Sequence, residues 1–537
     1  MIIDDVFTRY WEHIIAFSPV AATQLGDHRR DGDLDDWPPG TADARLRDLS
    51  HLCRALDDLT PERDERVWSE VEADGDRTML ADALDEQRFT LEELRAHERD
   101  PMVWLGLATT GVYELVRRDD LDPAPRRVAA VSRSAQVPRL LQQARETLQD
   151  ISAPHRDVAL QRIPGAAALF RMLLPAFAPE AAECGEAAAR ACEAFGRWLL
   201  DTTSPSPGWR LGEERWTAAL RLRTGMPVPP EEVWDRGWAA LEALQAEAEE
   251  AAVEVLGASG GLAGPELVRA GLEAVVADRP TRESLVPQAA AVLPEIVAFL
   301  RESSTFPISD PRALRVEELP RFLQGVAGAY LFPAPPLEPS ASHRYCLSPV
   351  PEEWDDEHAA SFLREHNRAA LYAVGMHEAF PGHYVQFAHA RRHPRLLRRV
   401  LQNDAFVEGW AVYAERQLVA AGFGTAALKL ISAKLAMRVA TNALLDQGLH
   451  VHGWDDDTAL ELMMRRAYQE RAEALGKLVR GKVTAGQLST YFIGGQEMAD
   501  LRRDAEALPD FEAARFHRDV LAHGSPPFPV LRRALGL

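Results

Sequence analysis

Apolar residues recur at intervals of three and four along residues 77–98, 183–200, 230–256 and 458–480, and these stretches are rich in alanine, leucine, glutamate and arginine. Such a period places the apolar side chains on one face of a helix, and the residue types are strong helix formers. The pattern predicts an all-α, mainly helical fold. Two breaks interrupt it. Residues 203–208 read Thr-Ser-Pro-Ser-Pro-Gly, a turn-rich linker, and residues 332–342 (FPAPPLEPSAS) are proline-rich and cannot be helical. Two short β-like pieces, 329–332 and 344–348, flank the second break. They are expected either to pair as a small hairpin or to stay extended. An N-terminal helical region at 1–205, a middle helical region at 206–350 ending in this β element, and a C-terminal helical region at 351–537 follow from the breaks. The three regions read as one continuous globular unit.

The chain has 537 residues, enough to bury a large core without covalent staples. Its 60 basic and 82 acidic residues give a net charge of −22. That balance argues against nucleic acid as the main partner, because phosphate binding needs a basic face. It argues equally against docking on an anionic membrane. Cys53, Cys184, Cys192 and Cys346 form no CxxC pair, which fits a reducing compartment. The opening MIIDDVFTRYWEHII has early acids and no basic run, so it does not read as a signal peptide. No uncharged apolar run approaches the roughly 20 residues that a membrane span requires. A cytoplasmic protein is expected.

The segment Gly375-Met-His377-Glu378-Ala-Phe-Pro381-Gly382-His383-Tyr-Val-Gln386 carries the chemistry. A helical zinc motif usually reads His-Glu-x-x-His, with both histidines on one face and the glutamate as general base. Here the histidines are six apart. On an unbroken helix six residues leave them about 120° apart around the axis, too far for one ion. Pro381-Gly382 offers a way round. Proline removes a helical N–H and glycine accepts unusual backbone angles, so two residues can loop out and the helix can resume at His383. His377 and His383 then become candidate metal ligands. A plain helix break with two solvated histidines is the alternative.

A third ligand is available on FVEGWAVYAE, residues 406–415, an apolar stretch with two acids seven apart on one face. A carboxylate buried on such a helix is costly unless it is paired or ligating. Glu408 follows His383 by 25 residues, enough for a helix to end, turn and return past the histidines. Two histidines and one glutamate with an open fourth position make a catalytic zinc site. Glu415 is a candidate to orient a histidine from behind, or an exposed helix acid.

HEAFPGH with Gln386, followed by FVEGWAVYAE, resembles the bacterial Domain-of-Unknown-Function 885 family, whose members are similar to zinc metallopeptidases of the His-Glu-x-x-His plus Glu type. The resemblance extends over most of the chain. It includes Phe17 to Gly26, Asp446-Gln-Gly-Leu-His450 with Gly453-Trp454, Tyr491-Phe-Ile-Gly494 with Leu501-Arg502, and Phe516-His517 with Leu521 and Gly524. Tyr384, where many members carry a second histidine, and Gln447, where threonine is common, depart from it. The resemblance implies His377, His383 and Glu408 as ligands of one zinc ion, Glu378 as base, and a large helical metallopeptidase-like fold with a deep channel.

Arg438, Asn442, Asp446 and His450 recur every four residues as a polar stripe on an otherwise apolar helix, suited to a cleft wall. Arg438 is a candidate substrate binder and Asp446 a candidate support for the ligands. His450 is a candidate oxyanion donor, with a packed structural histidine as the alternative. Tyr491 is a candidate donor to a tetrahedral intermediate, or a core tyrosine. Arg502 is a candidate partner for a substrate carboxylate, or a structural arginine. His366 and His389 are expected to be solvated. The expected activity is zinc-dependent hydrolysis of amide or peptide bonds in small substrates, with an extended peptide able to add to the β element. A zinc enzyme acting on a non-peptide amide or an intermediate of specialised metabolism is a second possibility. A catalytically silent binding protein of the same fold is a third.

Overall fold

The computed structural model describes residues 2–59, 70–202, 208–320, 328–338 and 341–537. The linker expected at 203–208 falls outside them except for Gly208, as do residues 339–340 of the proline-rich break. The described residues are mainly helical, with one three-stranded sheet. Residues 230–256 form the single helix Pro230–Leu256, which opens on proline and stops at Gly257 in the left-handed region (φ 74°). Residues 183–200 lie within the helix Ala182–Thr202.

The other two periodic stretches are not continuous helices. Residues 77–98 cross from Glu70–Phe89 through a π-turn at Thr90–Leu94 into Ala96–Arg99. Residues 458–480 span Asp456–Glu461, a π-turn at Leu462–Arg466, and a break in which Tyr468 takes φ 54°, before a second helix begins at Arg471. Periodicity reports which side chains face the core, and the buried Met463 and Ala474 do so on both sides of the break. It does not report whether the backbone between them is unbroken. The cap of the first piece is Asp455, whose carboxylate accepts from the Thr458 N–H.

The chain divides into two compact units. One comprises Met1–Trp209 with two short later pieces, Pro320–Leu323 and Pro335–Ala341; the other comprises Arg210–Leu319, Gln324–Ala334 and Ser342–Leu537. The first unit packs Trp104, Phe170, Phe195 and Leu140 into its core. It also buries charge. Arg133 is fully enclosed and donates to the carbonyls of Gly111 and Asp33 and to the Thr23 hydroxyl. Glu338, on one of the two later pieces, accepts from Arg118 (2.8 Å) and meets His28 (3.1 Å).

The second unit holds all the candidate chemistry. Its sheet has strands β1 (Leu314–Glu318), β2 (Ala329–Phe332) and β3 (His343–Leu347) in the order β1-β3-β2. β2 and β3 pair antiparallel, as the hairpin expectation had it, with Leu331 opposite Tyr345. β1 is an addition: it lies parallel to β3, with Val316 opposite Tyr345. A parallel partner needs a long crossover and leaves no turn signature beside it in the sequence. β3 is central and every residue of it is buried. Six helices build the site: α1 (Arg368–Glu378), α2 (His383–Ala390), α3 (Asp404–Ala420), α4 (Ala426–His450), α5 (Arg471–Val483) and α6 (Gln487–Glu506). α3 and α6 cross backbone to backbone. A Cβ on Gly494 would lie 1.9 Å from the Ala405 carbonyl, and one on Gly409 would lie 2.4 Å from Gly494. Among the described residues no helix is long and apolar enough to cross a membrane.

Candidate metal centre

α1 ends at Glu378, and α2 begins at His383. The four residues between them, Ala379 to Gly382, are not helical, so the detour is twice as long as a bare Pro-Gly insertion. The Phe380–Pro381 peptide is cis. Gly382 turns its N–H onto the Met376 carbonyl (3.0 Å), and a Cβ there would fall 1.8 Å from the His377 carbonyl. Only glycine passes so close to the helix it has just left. Trp410 of α3 fixes the detour from the other side, its indole N–H donating to the Pro381 carbonyl (3.0 Å).

The detour brings the two imidazoles together, with ring centroids 4.7 Å apart and planes at 86°. α3 supplies the carboxylate. Glu408 Oε2 lies 3.7 Å from His377 Nε2 and 3.5 Å from His383 Nε2, and one donor atom from each of the three residues lies within 4.8 Å of the others. Ligands at zinc's usual bond lengths of about 2.0–2.1 Å stand about 3.4 Å apart at the corners of a tetrahedron. Glu408 Oε2 is buried, and among the described residues nothing donates a hydrogen bond to it. A buried carboxylate oxygen left without a donor, facing two imidazole nitrogens, suits a cation between them.

The electrostatics agree with this arrangement. Burial opposes the charge on Glu408, yet the imidazoles of His377 and His383 hold its pKa well below the usual carboxylate range. Burial also opposes an imidazolium at His377, but Glu408 and Glu415 outweigh it and raise its pKa well above the usual value. Each histidine has a backer on its other ring nitrogen. Glu415, two turns along α3, places Oε2 3.6 Å from His377 Nδ1. Gln386, one turn along α2, places Oε1 3.4 Å from His383 Nδ1, while its amide nitrogen reaches Ser525 Oγ at 3.4 Å. Such outer partners select the tautomer and aim the ring. Gln386 stood in the sequence three residues after His383, on the same helical face. A neutral amide gave no reason there to assign it a task.

Glu378 is half-exposed beside His377, and among the described residues no hydrogen bond or ion pair engages its carboxylate. Tyr491 of α6 stands one turn before Gly494, on the face that meets α3 at Gly409, next to Glu408. Its hydroxyl accepts from Arg480 Nη2 (2.9 Å), so its own proton remains to be given. Burial raises its pKa above the usual phenol value; Arg480 works against that rise and Glu408 adds to it.

Other candidates are engaged in different ways. Asp446 is fully buried and accepts from the Gly486 and Ser489 N–H groups and the Ser489 hydroxyl, so it caps α6 and touches neither histidine. His450 meets the Gly481 carbonyl through Nε2 (2.8 Å), joining α4 to α5. Arg438 pairs with Glu473 at 2.6 Å. Arg502 bonds Glu506 and the Tyr413 hydroxyl and lies over the rings of Phe511 and Phe516, with no contact to the cluster. Tyr384 donates to the Asp310 carbonyl (2.6 Å) and packs on Phe380 and His343. His366 and His389, expected to be solvated, are half-buried. Burial lowers both pKa values, and His366 stacks on Phe362. His366 Nδ1 also meets the Phe362 carbonyl at 2.9 Å.

A family model described as a bacterial protein of unknown function, DUF885, matches residues 19–535. No curated protein matches the chain. Several solved structures share its fold, among them two described as lipoproteins. One is of "a putative lipoprotein of unknown function" from Shewanella oneidensis, with TM-score 0.79 and 22% identity over 100% of this chain and 99% of that one. The other is of "the putative lipoprotein" from Colwellia psychrerythraea, with TM-score 0.79 and 16% identity over 99% of this chain and 98% of that one.

Proposed function

The chain belongs to the bacterial DUF885 family, and on that footing we propose that it is a zinc-dependent hydrolase of amide or peptide bonds in small substrates, with Glu378 as general base. The observation that carries the proposal is Glu408 Oε2, buried, without a hydrogen-bond donor among the described residues, and 3.5 and 3.7 Å from an Nε2 atom of each histidine. Three ligands of this composition, with a fourth position left over, are the make-up of catalytic rather than structural zinc sites. A divalent cation held by them supplies Lewis acidity toward a carbonyl oxygen and makes water a stronger acid.

The chain's own groups do the rest. Glu378, adjacent to a ligand and unengaged, takes the proton of the attacking water onto its carboxylate and passes it to the leaving amine. Glu415 and Gln386 hold the two imidazoles in orientation. Tyr491 keeps its proton at neutral pH and donates it, as a hydrogen bond, to the oxyanion that develops at the carbonyl. β2 is an edge strand, so an extended peptide has a row of main-chain groups along which to lie. The acidic surface leaves nucleic acid and anionic membrane out of the proposed partners, and the four free thiols favour the cytoplasm. Cell fractionation tests that placement, since both structural relatives are described as lipoproteins.

The decisive experiment joins elemental analysis to turnover of a short-peptide panel. Wild type is expected to hold one zinc per chain. Glu378→Gln should keep the metal and lose about 10²–10⁴-fold in turnover, whereas His377→Ala should lose the metal itself. Retained turnover in Glu378→Gln would remove the base assignment, and a wild type that takes up no divalent metal would remove the proposal.

A further inference from the structure

α5 presents Glu473, Lys477 and Arg480 at spacings of four and three, on one face, and α4 sets Lys434 and Arg438 nearby. Two of these four cations are matched. Lys434 pairs with Glu365 at 2.8 Å and Arg438 with Glu473 at 2.6 Å. The other two are not. Lys477 is only 8% exposed, and among the described residues no hydrogen bond or ion pair reaches its ammonium group. Arg480 is half-buried and uses Nη2 alone, on two neutral acceptors: the Gln487 side-chain carbonyl at 2.7 Å and the Tyr491 hydroxyl at 2.9 Å. Its Nε and Nη1 have no acceptor among the described residues, and no carboxylate stands within ion-pair distance. Glu473 and Glu408 act on Lys477, and Glu408 on Arg480, only from beyond ion-pair distance, while the two neighbouring cations repel. No direct ion pair therefore accounts for either cation.

Their position does. Arg480 is tied to Tyr491, and Tyr491 lies one turn from the crossing of α6 with α3 at Gly494 and Gly409, next to Glu408. The Glu408 carboxylate acts electrostatically on Lys477, Arg480 and Tyr491 alike, and Tyr330 of β2 acts on Arg480. Burial, followed by the charges of Arg438 and Arg480, drives the Lys477 pKa well below its usual value against the opposing pull of Glu473 and Glu408, and a bound anion would add to that pull.

We infer that Lys477 and Arg480, next to the Tyr491 hydroxyl that faces the oxyanion, form a receptor for a carboxylate of the substrate beside the metal-ligand cluster. The inference deepens the proposed hydrolase activity and rests on it for the identity of the ligand as a substrate. The substrates it selects are small amides with a free carboxylate, such as a peptide's C-terminal end, and neutral amides are selected against. A planar guanidinium and a buried ammonium together suit a carboxylate held by several charge-assisted hydrogen bonds. Arg502, the sequence's candidate for this task, is occupied elsewhere by Glu506 and Tyr413.

The test uses the full chain, with and without zinc, and calorimetric titration with succinamate and with succinamide, in which the carboxylate has become a second uncharged amide. Succinamate is expected to bind the zinc-loaded chain at least about tenfold more tightly, the effect of one charge-assisted contact. Lys477→Met and Arg480→Met should each abolish that preference while one zinc per chain remains. Equal binding of the two ligands to the unmodified chain overturns the receptor, and so does a preference that survives both substitutions. The wild-type comparison decides without any variant, so a substitution that fails to fold leaves the outcome readable. Neither readout requires turnover. If succinamate is preferred while no amide is cleaved, the receptor stands and the hydrolase proposal falls; if amides are cleaved without regard to a free carboxylate, the reverse holds.

Discussion

Glu415 and Gln386 touch no substrate in this arrangement, yet each faces the ring nitrogen that a metal would leave free. Glu415→Gln and Gln386→Leu are each expected to weaken zinc binding about 10–100-fold, measured by competition with a chromophoric chelator, while the fold stays intact by circular dichroism. Zinc affinity unchanged in both would mean that the rings are aimed by packing alone. At this scale the sequence was legible where residue type and spacing both spoke. His377, Glu378, His383 and Glu408 combine ligand or base chemistry with a helical phase that only the Pro-Gly detour reconciles, and the structure gathers the three ligand candidates. Asp446, His450 and Arg502 were equally suggestive by type. Their partners are a helix N-terminus, a main-chain carbonyl and a tyrosine far along the chain, and no local pattern announces these. Lys477 and Arg480 sat unremarked in a charged helix, because an unmatched cation becomes visible only when its neighbours are known.

The elements are positioned by a few close contacts rather than by long interfaces. Gly409 and Gly494 let α3 and α6 touch, which carries Glu408 to the histidines and Tyr491 to Glu408. Gly494→Ala is therefore expected to destabilise the protein by about 1–3 kcal/mol and to reduce zinc affinity in the same variant, read by thermal denaturation and chelator competition together. Asp446→Ala, which removes three acceptor contacts from the start of α6, is expected to cost about 1–3 kcal/mol with zinc affinity largely kept. The contrast separates a helix that is misplaced from one that is merely uncapped. Helices with a terminal proline or glycine, such as Pro230–Leu256, were predictable to the residue. The interruption at Tyr468 was not, because a π-turn and a four-residue break leave the apolar face in register. β1 was hidden for the complementary reason: its partner lies 29 residues downstream, beyond the reach of any hairpin signal.

For the molecule as a whole, charge is buried as well as displayed, and one enclosed group of ion pairs in the first unit gathers on Glu338. Hydrogen bonds to Asp31 and Glu338 push the His28 pKa up to about 10, against burial. Burial opposes the Glu338 charge, but Arg118 and His28 hold its pKa at about 2. The raised imidazole contributes stability that is complete below about pH 6.5 and lost as pH rises through 10. The lowered carboxylate contributes stability that is complete above about pH 4.5 and lost as pH falls toward 2. The melting-temperature gap between wild type and His28→Gln is accordingly expected to be larger at pH 6 than at pH 10. It should be modest, since His28 is partly open to solvent. Glu338 has a further consequence, because it stands between β2 and β3 in the chain while packing with the first unit. A recombinant fragment ending at Trp209 would leave Arg118 with Asp120 alone and remove the Glu338 carboxylate that Arg118 and His28 share. Truncation at the apparent linker should thus yield an insoluble or loosely folded product, and adding a peptide spanning 333–342 in trans should restore part of its cooperativity.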